Sequence, residues 1–272
     1  MPIYCSTKVA CLEPGEFERL DYQIMGHAYA CQNELGRLCD ESVYESDLKE
    51  RLLRGGFQNV QTQVPVIVSH GDYSKTYYLD LVADNALYEL KAASALTGEH
   101  EAQLLNYILL LGLKRGKLIN FRGTKVQGQL LAAALTFEER RKITCVEERW
   151  QNITPQCTFL RRTLQDLLSD WGAYLDIGLY HEALVQFCGG TENVERNLPL
   201  RRNGSALGTQ RMSLHTPEIA FRLTAFTEGQ NHVESHLRKL LALTNLHAMQ
   251  WINLNHSRVE FTTIRQYRGT GK

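Results

Sequence analysis

The chain has 272 residues, of which 43% are hydrophobic and 22% charged, so it can bury a sizeable core and is not intrinsically disordered. Thirty basic residues balance thirty acidic ones, which excludes a histone-like protein that binds nucleic acid through its overall charge. No stretch reaches about 18 consecutive apolar residues, and the first residues lack a basic region followed by an apolar run. We therefore expect a cytoplasmic protein without a membrane segment.

Helical periodicity over residues 16–53, with a break near Gly36, predicts two helices. Gly55 and Gly56 end the second helix, and QTQVPVIVSH then predicts a strand that turns at residues 69–72. Further along, GEHEAQLLNYILLLGL predicts a helix and GKLINF a short strand.

Between these segments, residues 77–93 read YYLDLVADNALYELKAA, which predicts a hairpin with Asp84-Asn85 as its two-residue turn. Positions paired in such a hairpin have a constant sum, so Asp80 and Glu89 are expected to be cross-strand partners. Like charges directly opposite each other destabilise a sheet, so either both point into water or a positive group lies between them. Lys91, two residues after Glu89, points to the same face of the sheet.

The predicted order is α, β, β, β, α, β, an αβββαβ unit of the α/β class. The charged segment EERRKITCVEERWQN is expected to be a solvated helix or a linker. We accordingly expect two domains, residues 1–150 and residues 151–272.

The second half contains an approximate repeat of the first. With an offset of 133, nine positions coincide, including Glu101 with Glu234 and Asn120 with Asn253. Small insertions shift the offset upstream, where Gly36 coincides with Gly172. The pattern predicts a tandem duplication of the αβββαβ unit. The alternative is chance similarity of apolar patterning between unrelated segments, and the matched Gly and Asn positions count against it.

The residues of the hairpin indicate metal chemistry. Carboxylate oxygens such as those of Asp80 and Glu89 are ligands that Mg²⁺ prefers, and a metal ion would remove their repulsion. A bound ion can lower the pKa of a water molecule and neutralise charge on a phosphate under attack, while Lys91 supplies a further positive charge. Phosphodiester hydrolysis is the reaction class that these groups suit.

The pattern D-x8-E-x-K formed by Asp80, Glu89 and Lys91 resembles that of the PD-(D/E)XK nuclease superfamily. More closely, LGRLCDESVYESDL, VPVIV, ELKAA and HEAQLLNYILLLGL resemble the small GxxExxY proteins, themselves similar to RecB-like nuclease domains with a QxxxY helix. The resemblance covers about residues 17–135. One position departs from it, because Leu38 stands where the glycine of GxxExxY is expected.

The resemblance implies a restriction-endonuclease-like core with a mixed central sheet flanked by helices, and Mg²⁺ or Mn²⁺ as cofactor. It implies that Glu41, Asp80 and Glu89 hold the metal, that Lys91 is the catalytic lysine, and that Gln103 and Tyr107 are the QxxxY pair near the substrate. Relatives with an iron–sulfur cluster hold it through a C-terminal cysteine group, which this sequence lacks, so no cluster is expected.

A basic segment after the QxxxY helix suits a nucleic-acid backbone. We expect substrate binding by Lys114, Arg115 and Lys117, with Arg122 and Lys125 nearby. The alternative is an ordinary solvated helix end and turn.

The repeat aligns the metal ligands of the first copy with non-ligands. Asp80 aligns with Ser213, Glu89 with Arg222 and Lys91 with Thr224. We expect a degenerate pseudo-nuclease copy that forms a pseudodimer within one chain, or a chain that forms a homodimer. Some arginines of the second copy could bind phosphate or could equally be solvated surface; they are Arg201, Arg202, Arg211, Arg222 and Arg258.

Together these features predict a metal-dependent nuclease that acts on nucleic acid, with DNA as the expected substrate. The alternative is a catalytically silent nucleic-acid-binding or scaffold protein that keeps the nuclease fold. An adaptor that binds a protein partner through the second copy is compatible with either.

Overall fold

The computed structural model describes residues 2–266 of the chain. It divides the chain into two units, residues 1–139 and residues 140–272. Among the described residues, no helix combines the length and the hydropathy that a transmembrane span requires. The expected domain boundary at residue 150 and the expected cytoplasmic location stay predictions.

The first unit contains three long helices and six strands. In chain order they are β1 (Ile3–Cys5), α1 (Pro14–Leu35), α2 (Glu41–Arg54), β2 (Val60–His70), β3 (Tyr73–Ala83), β4 (Ala86–Lys91), α3 (Gly98–Leu111), β5 (Arg115–Asn120) and β6 (Gln127–Ala132). The expected pair of helices, the hairpin, the QxxxY helix and the strand after it are all confirmed. A short helical turn, α4 (Phe137–Arg140), follows β6.

The six strands form one mixed sheet in the order β1-β2-β3-β4-β5-β6. The β4 and β5 strands pair in parallel, and the other neighbours are antiparallel. Helix α3 supplies the crossover that a parallel pair requires. An α/β architecture with a mixed sheet and flanking helices is therefore confirmed for this unit.

The sheet separates two layers of helix. Helices α1 and α2 pack their apolar residues on one face, against side chains such as Leu81, Tyr88 and Ile119. Helix α3 covers the other face, where its Leu104 lies above Gly116 of β5. Because successive strand residues point to opposite faces, Glu89 and Lys91 lie on the α3 face and Tyr88 on the other.

The hairpin turn has the geometry that its sequence predicts. Asp84 and Asn85 both have positive φ, at 44° and 73°, as a type I′ turn requires. The pairing of Leu81 with Tyr88 gives the predicted register. One residue further from the turn, the Leu90 amide donates to Asp80 Oδ2 at 2.8 Å.

The second unit also contains one six-stranded sheet. Its elements are β7 (Thr144–Arg149), α5 (Pro155–Trp171), α6 (Ile177–Phe187), α7 (Thr191–Val194), β8 (Glu195–Arg202), β9 (Ser205–Thr216), β10 (Ile219–Thr224), α8 (Gln230–Ala242), β11 (Ala248–Asn255) and β12 (Arg258–Arg265). The segment expected to be a solvated helix or a linker begins within the helical turn α4 but then forms β7, so the prediction was wrong for residues 144–149. The residues of β7 pair in parallel with β12, at the edge of the sheet.

The two sheets share an arrangement of strands. In the second unit the order is β8-β9-β10-β11-β12-β7, with β10 parallel to β11 after the α8 crossover. Strands β2 to β6 of the first unit follow the same order and the same directions. The units differ in their added edge strand, which is β1 beside β2 in one and β7 beside β12 in the other.

Two hydrogen-bonding features recur at positions that the sequence repeat aligns. The Asn120 side chain bonds both the N–H and the C=O of Ala93, and Asn253 bonds the same two groups of Phe226. In addition, the hydroxyl of a buried tyrosine donates to the carbonyl of a positive-φ glycine eight residues earlier in each unit. The pairs are Tyr44 with Gly36 and Tyr180 with Gly172.

Candidate metal and nuclease site

A lysine surrounded by carboxylates lies at the carboxyl end of β4. The Lys91 ammonium is 2.6 Å from Glu89 Oε1, 3.5 Å from Asp80 Oδ2 and 3.8 Å from Glu41 Oε1. We call these four residues the Lys91 cluster. Of the two alternatives that the sequence left open for Asp80 and Glu89, the structure has the positive group near both carboxylates.

Three elements position the cluster. Strand β4 carries Glu89 and Lys91 two residues apart on one face, and β3 carries Asp80 beside them. Glu41 is the first residue of α2, and its Oε2 accepts the Ala92 amide at 3.2 Å, which ties the start of the helix to the end of β4.

Glu89 is the most buried acid of the cluster, with none of its surface exposed. Burial raises its pKa to about 8, and the nearby Asp80 carboxylate adds to the rise, while Lys91 opposes it. Its Oε2 atom is buried and has no hydrogen-bond partner among the described residues. A buried carboxylate oxygen of this kind costs free energy until it gains a proton or a cation.

Lys91 is largely buried as well, with 11% of its side chain exposed. Burial alone would lower its pKa, but the carboxylates of Glu89, Asp80 and Glu41 together raise it above the ordinary value. The ammonium group is therefore held in its charged form beside the two most buried acids.

The cluster fits a divalent cation that completes its coordination with water and phosphate. No group of three or more His, Cys, Asp or Glu side chains among residues 2–266 is arranged to hold a metal ion. Mg²⁺, however, commonly binds through one or two carboxylates and takes its remaining ligands from water and substrate. Asp80 and Glu89 provide two such carboxylates, and the unpartnered Glu89 oxygen is available as a ligand.

The predicted QxxxY pair lies on the same side of the sheet. The Gln103 amide donates to the Tyr107 hydroxyl at 3.1 Å. Burial raises the pKa of Tyr107, Gln103 opposes the rise, and the carboxylates of Glu89 and Asp80 add to it. The structure thus brings Gln103 and Tyr107 into contact, with Tyr107 within electrostatic range of the carboxylates.

The predicted basic residues are not at this end of the sheet. Lys114 and Arg115 lie at the start of β5, whereas the cluster is level with its last residue, Asn120, about 16 Å along the strand. Lys117 points to the other face, where its ammonium pairs with Asp21 of α1. The structure does not bring these three residues to the Lys91 cluster, because β5 runs parallel to β4.

Two residues near the cluster, Gln63 and Glu45, were not predicted from the sequence. Gln63 of β2 lies opposite Asp80, between residues that pair with Leu81 and Leu79, and has a positive φ of 51°. Its amide donates to Glu45 Oε2 at 2.5 Å, one turn after Glu41 on α2. The spacing of Glu41 and Glu45 could have indicated Glu45, but nothing in the sequence predicts the conformation of Gln63.

Arg122 is the basic residue that lies near the cluster. It follows β5, and its Nε donates to the Ala92 carbonyl at 3.1 Å. From the sequence, Arg122 is expected only near the substrate-binding residues, because its position relative to Lys91 depends on the parallel pairing of β4 and β5.

A histidine pair on α8 was also overlooked. His232 and His236 are four residues apart on an exposed helix face, with ring centroids 4.4 Å apart. Since no third ligand joins them among the described residues, the pair does not make a metal site with three protein ligands.

The chain was compared with models of protein families, and one of them matches the segment that contains the Lys91 cluster. Residues 18–130 match the model of the PD-(D/E)XK nuclease superfamily. The matched segment runs from α1 to β6 and contains the whole Lys91 cluster together with Gln103 and Tyr107. Searches of curated proteins and of solved structures gave no match.

The superfamily match covers less than half of the chain. Its members are usually hydrolytic nucleases that use Mg²⁺ or Mn²⁺, so the matched segment indicates metal-dependent nuclease activity on nucleic acid. The closer resemblance to GxxExxY proteins and the tandem repeat remain predictions.

Proposed function

We propose that the first unit is a metal-dependent nuclease that hydrolyses phosphodiester bonds of nucleic acid, with DNA as the expected substrate. The observation that carries the proposal is the Lys91 cluster, in which a charged lysine and buried carboxylates meet on a superfamily-matched fold.

Each residue of the cluster has a role in this proposal. Asp80 and Glu89 hold Mg²⁺ or Mn²⁺, and Glu41 supports the site from the start of α2, through the metal or its bound water. When bound, the ion supplies positive charge at the scissile phosphate and lowers the pKa of an attacking water. Lys91 donates from its ammonium group to that water or to a phosphate oxygen, and so stabilises negative charge that develops in the transition state.

Gln103 and Tyr107 lie where they can contact the substrate. An amide and a phenol are both hydrogen-bond donors that suit phosphate oxygens, and their mutual bond of 3.1 Å fixes their orientation. Arg122 supplies a positive charge near the carboxyl end of β4. We do not assign the same role to Lys117, whose ammonium is paired with Asp21.

The second unit is proposed to be a copy of the same fold that has lost the metal ligands. The shared strand order and the recurrent Asn120 and Asn253 hydrogen bonds support a duplication. Ser213 and Arg222 replace the two metal carboxylates at the aligned positions. Without those oxygens the second unit is not expected to bind Mg²⁺ or to cleave.

The test compares Asp80→Asn with Asp72→Asn, because Asp72 is an exposed aspartate in the β2–β3 turn. Labelled single-stranded, duplex and flapped DNA, and RNA, are incubated with Mg²⁺ or Mn²⁺ and with EDTA. We expect wild type and Asp72→Asn to cleave at least one substrate, and Asp80→Asn to be slower by about 100-fold or more. Cleavage that persists in EDTA or in folded Asp80→Asn would overturn the proposal.

A catalytically silent protein would give a different outcome. It would bind oligonucleotide or Mn²⁺ and yet cleave none of the substrates. That result would favour a nucleic-acid-binding or scaffold role for the same fold.

A further inference from the structure

The second unit contains a cavity that is lined by Ser213 and Arg222, the residues that the repeat aligns with Asp80 and Glu89 of the Lys91 cluster. It has a volume of about 300 Å³ and is lined by polar residues of α6, β8, β9 and β10, with Met212, Phe221, Leu223 and Met249 as its apolar lining. Its polar lining is formed by His181, Glu195, Arg211, Ser213 and Arg222. We call it the Arg222 cavity.

The correspondence extends to residues that were not used to define the metal site. The repeat aligns Glu45 with His181, and Gln63 lies opposite Asp80 just as Glu195 lies opposite Ser213. In the first unit, Gln63 contacts Glu45 at 2.5 Å; in the second, Glu195 Oε1 lies 3.6 Å from His181 Nε2. The same helix and strands therefore meet in each unit. The hairpin register differs by one residue, because Phe221, which the repeat aligns with Tyr88, pairs with Ser213 and not with Leu214.

The charge of the cavity has the opposite sign to that of the cluster. Three carboxylates face one lysine in the Lys91 cluster, whereas one carboxylate faces two arginines in the Arg222 cavity. The single acid, Glu195, is already compensated, because Arg211 Nε donates to its Oε2 at 3.0 Å. A site built to attract a cation has thus been replaced by one that favours an anion.

Internal hydrogen bonds hold the acid in place. The Ser213 hydroxyl donates to Glu195 Oε1 at 2.6 Å, and His181 Nε2 lies 2.9 Å from that hydroxyl oxygen. Since the only hydroxyl proton is directed at Glu195, the His181 ring donates from Nε2 to Ser213. The Glu195 carboxylate is therefore directed toward the Ser213 hydroxyl and the Arg211 guanidinium.

Arg222 is the uncompensated cation of the cavity. It is exposed on β10, and it forms no ion pair or hydrogen bond with another of the residues 2–266. A guanidinium group offers five N–H donors in a planar fork that matches phosphate oxygens. The apolar wall formed by the two methionines and Leu223 provides surface for the less polar part of a nucleotide.

From this geometry we infer that the Arg222 cavity binds a phosphodiester group of a nucleic-acid strand, with Arg222 as the principal contact and Arg211 beside it. The inference rests on the proposed nucleic-acid substrate and extends it to a site without catalytic residues. The second unit then contributes affinity for the strand through its own phosphate contact.

The test measures binding of a labelled oligonucleotide by the full chain in EDTA, as DNA and as RNA, over a series of salt concentrations. Arg222→Ala is compared with Arg238→Ala, because Arg238 is an exposed arginine of the same unit that pairs with Glu234 at 2.6 Å. Arg222→Lys keeps the charge but not the planar fork, and circular dichroism shows whether each variant is folded.

We expect Arg222→Ala to weaken binding several-fold and to reduce the slope of log affinity against log salt by about 1, as loss of one phosphate contact predicts. Arg238→Ala is expected to bind as wild type does, and the affinity of Arg222→Lys is expected to lie between those of wild type and Arg222→Ala. Binding by Arg222→Ala with wild-type affinity and slope would overturn the inference, as would a wild-type chain that binds neither oligonucleotide.

Because the measurement omits metal, it separates this inference from the nuclease proposal. Binding that depends on Arg222 in a chain that never cleaves would support the cavity and refute the nuclease. If Asp80→Asn loses cleavage while Arg222→Ala binds oligonucleotide as wild type does, the nuclease proposal is supported and the inference about the cavity is refuted.

Discussion

Glu89 combines complete burial with a carboxylate that has an unpartnered oxygen. In an ordinary core position such a group would be destabilising, since desolvation disfavours its charged form and Asp80 repels it. This arrangement suits a site that binds a divalent cation, because a bound cation would satisfy the carboxylate oxygen that Lys91 does not contact. The cost to the metal-free fold is thus linked to the function we propose.

This cost makes a prediction for the metal-free protein. The pKa of Glu89 is raised from 4.5 to about 8, so its contribution to stability is present at low pH and is lost as the pH rises through about 8. In Glu89→Gln this titration is absent. We therefore expect the melting temperature of Glu89→Gln, relative to wild type in EDTA, to increase between pH 5 and pH 8 and then to level off.

The control is Glu18→Gln, which changes an exposed glutamate of α1. Its melting temperature should follow that of wild type at every pH. A Glu89→Gln difference that is constant with pH, or that shrinks as the pH rises, would show that Glu89 is already ionised in the metal-free fold.

A tight turn connects the first two long helices of each unit, α1 with α2 and α5 with α6. Gly36 and Gly172 have φ of 73° and 79° with ψ of −163° and 176°, a region that is essentially restricted to glycine and that costs other residues about 1–3 kcal/mol. The two positions differ in their surroundings. An added Cβ at Gly36 would meet nothing within 4 Å, whereas at Gly172 it would lie 2.9 Å from Arg140 Cβ.

We predict that Gly36→Ala lowers the free energy of unfolding by about 1–3 kcal/mol, the cost of backbone strain alone. Gly172→Ala should cost more, because it also displaces Arg140, whose guanidinium donates to the carbonyls of Trp171 and Ala173. Denaturant unfolding of both variants measures the difference. Equal losses would mean that Arg140 moves aside at no cost.

The elements that could be predicted from sequence are those with strong local signals. The Asp84-Asn85 turn sets the hairpin and its register, and the apolar periodicity of α3 sets the crossover helix. Strands β1, β6 and β7 were not predicted. All three are edge strands without a buried side chain, and β1 and β7 pair with segments that are far away in sequence.

The residues of the candidate site also fall into those that local sequence predicts and those that it does not. Asp80, Glu89 and Lys91 were predictable, because alternation along two strands of one hairpin fixes which side chains share a face. Placing the basic residues requires the direction of β5, which only the tertiary structure gives. Lys114, Arg115 and Lys117 were expected to bind substrate because they closely follow the QxxxY helix along the chain. In the structure, however, the basic residue that contacts Ala92, next to Lys91, is Arg122.

For the whole molecule, we propose two units of one fold whose corresponding sites have opposite charge. The first keeps carboxylates that attract a cation, and the second has an arginine where a metal ligand would be. A duplication followed by loss of the metal ligands explains both the shared strand order and the changed charge. It leaves catalysis with the first unit, and there with the four residues around Lys91.

The most direct measurement applies two readouts to Lys91→Ala: Mn²⁺ binding by calorimetry and cleavage of the substrates that wild type degrades. Removing the ammonium leaves Asp80 and Glu89 in place and takes a positive charge out of the site. We predict that Mn²⁺ binds at least as tightly as in wild type, while cleavage falls by about 100-fold or more. Lys142→Ala, which changes an exposed lysine of the second unit, should alter neither. Undiminished cleavage by Lys91→Ala, or a wild type that binds Mn²⁺ and cleaves nothing, would contradict the account.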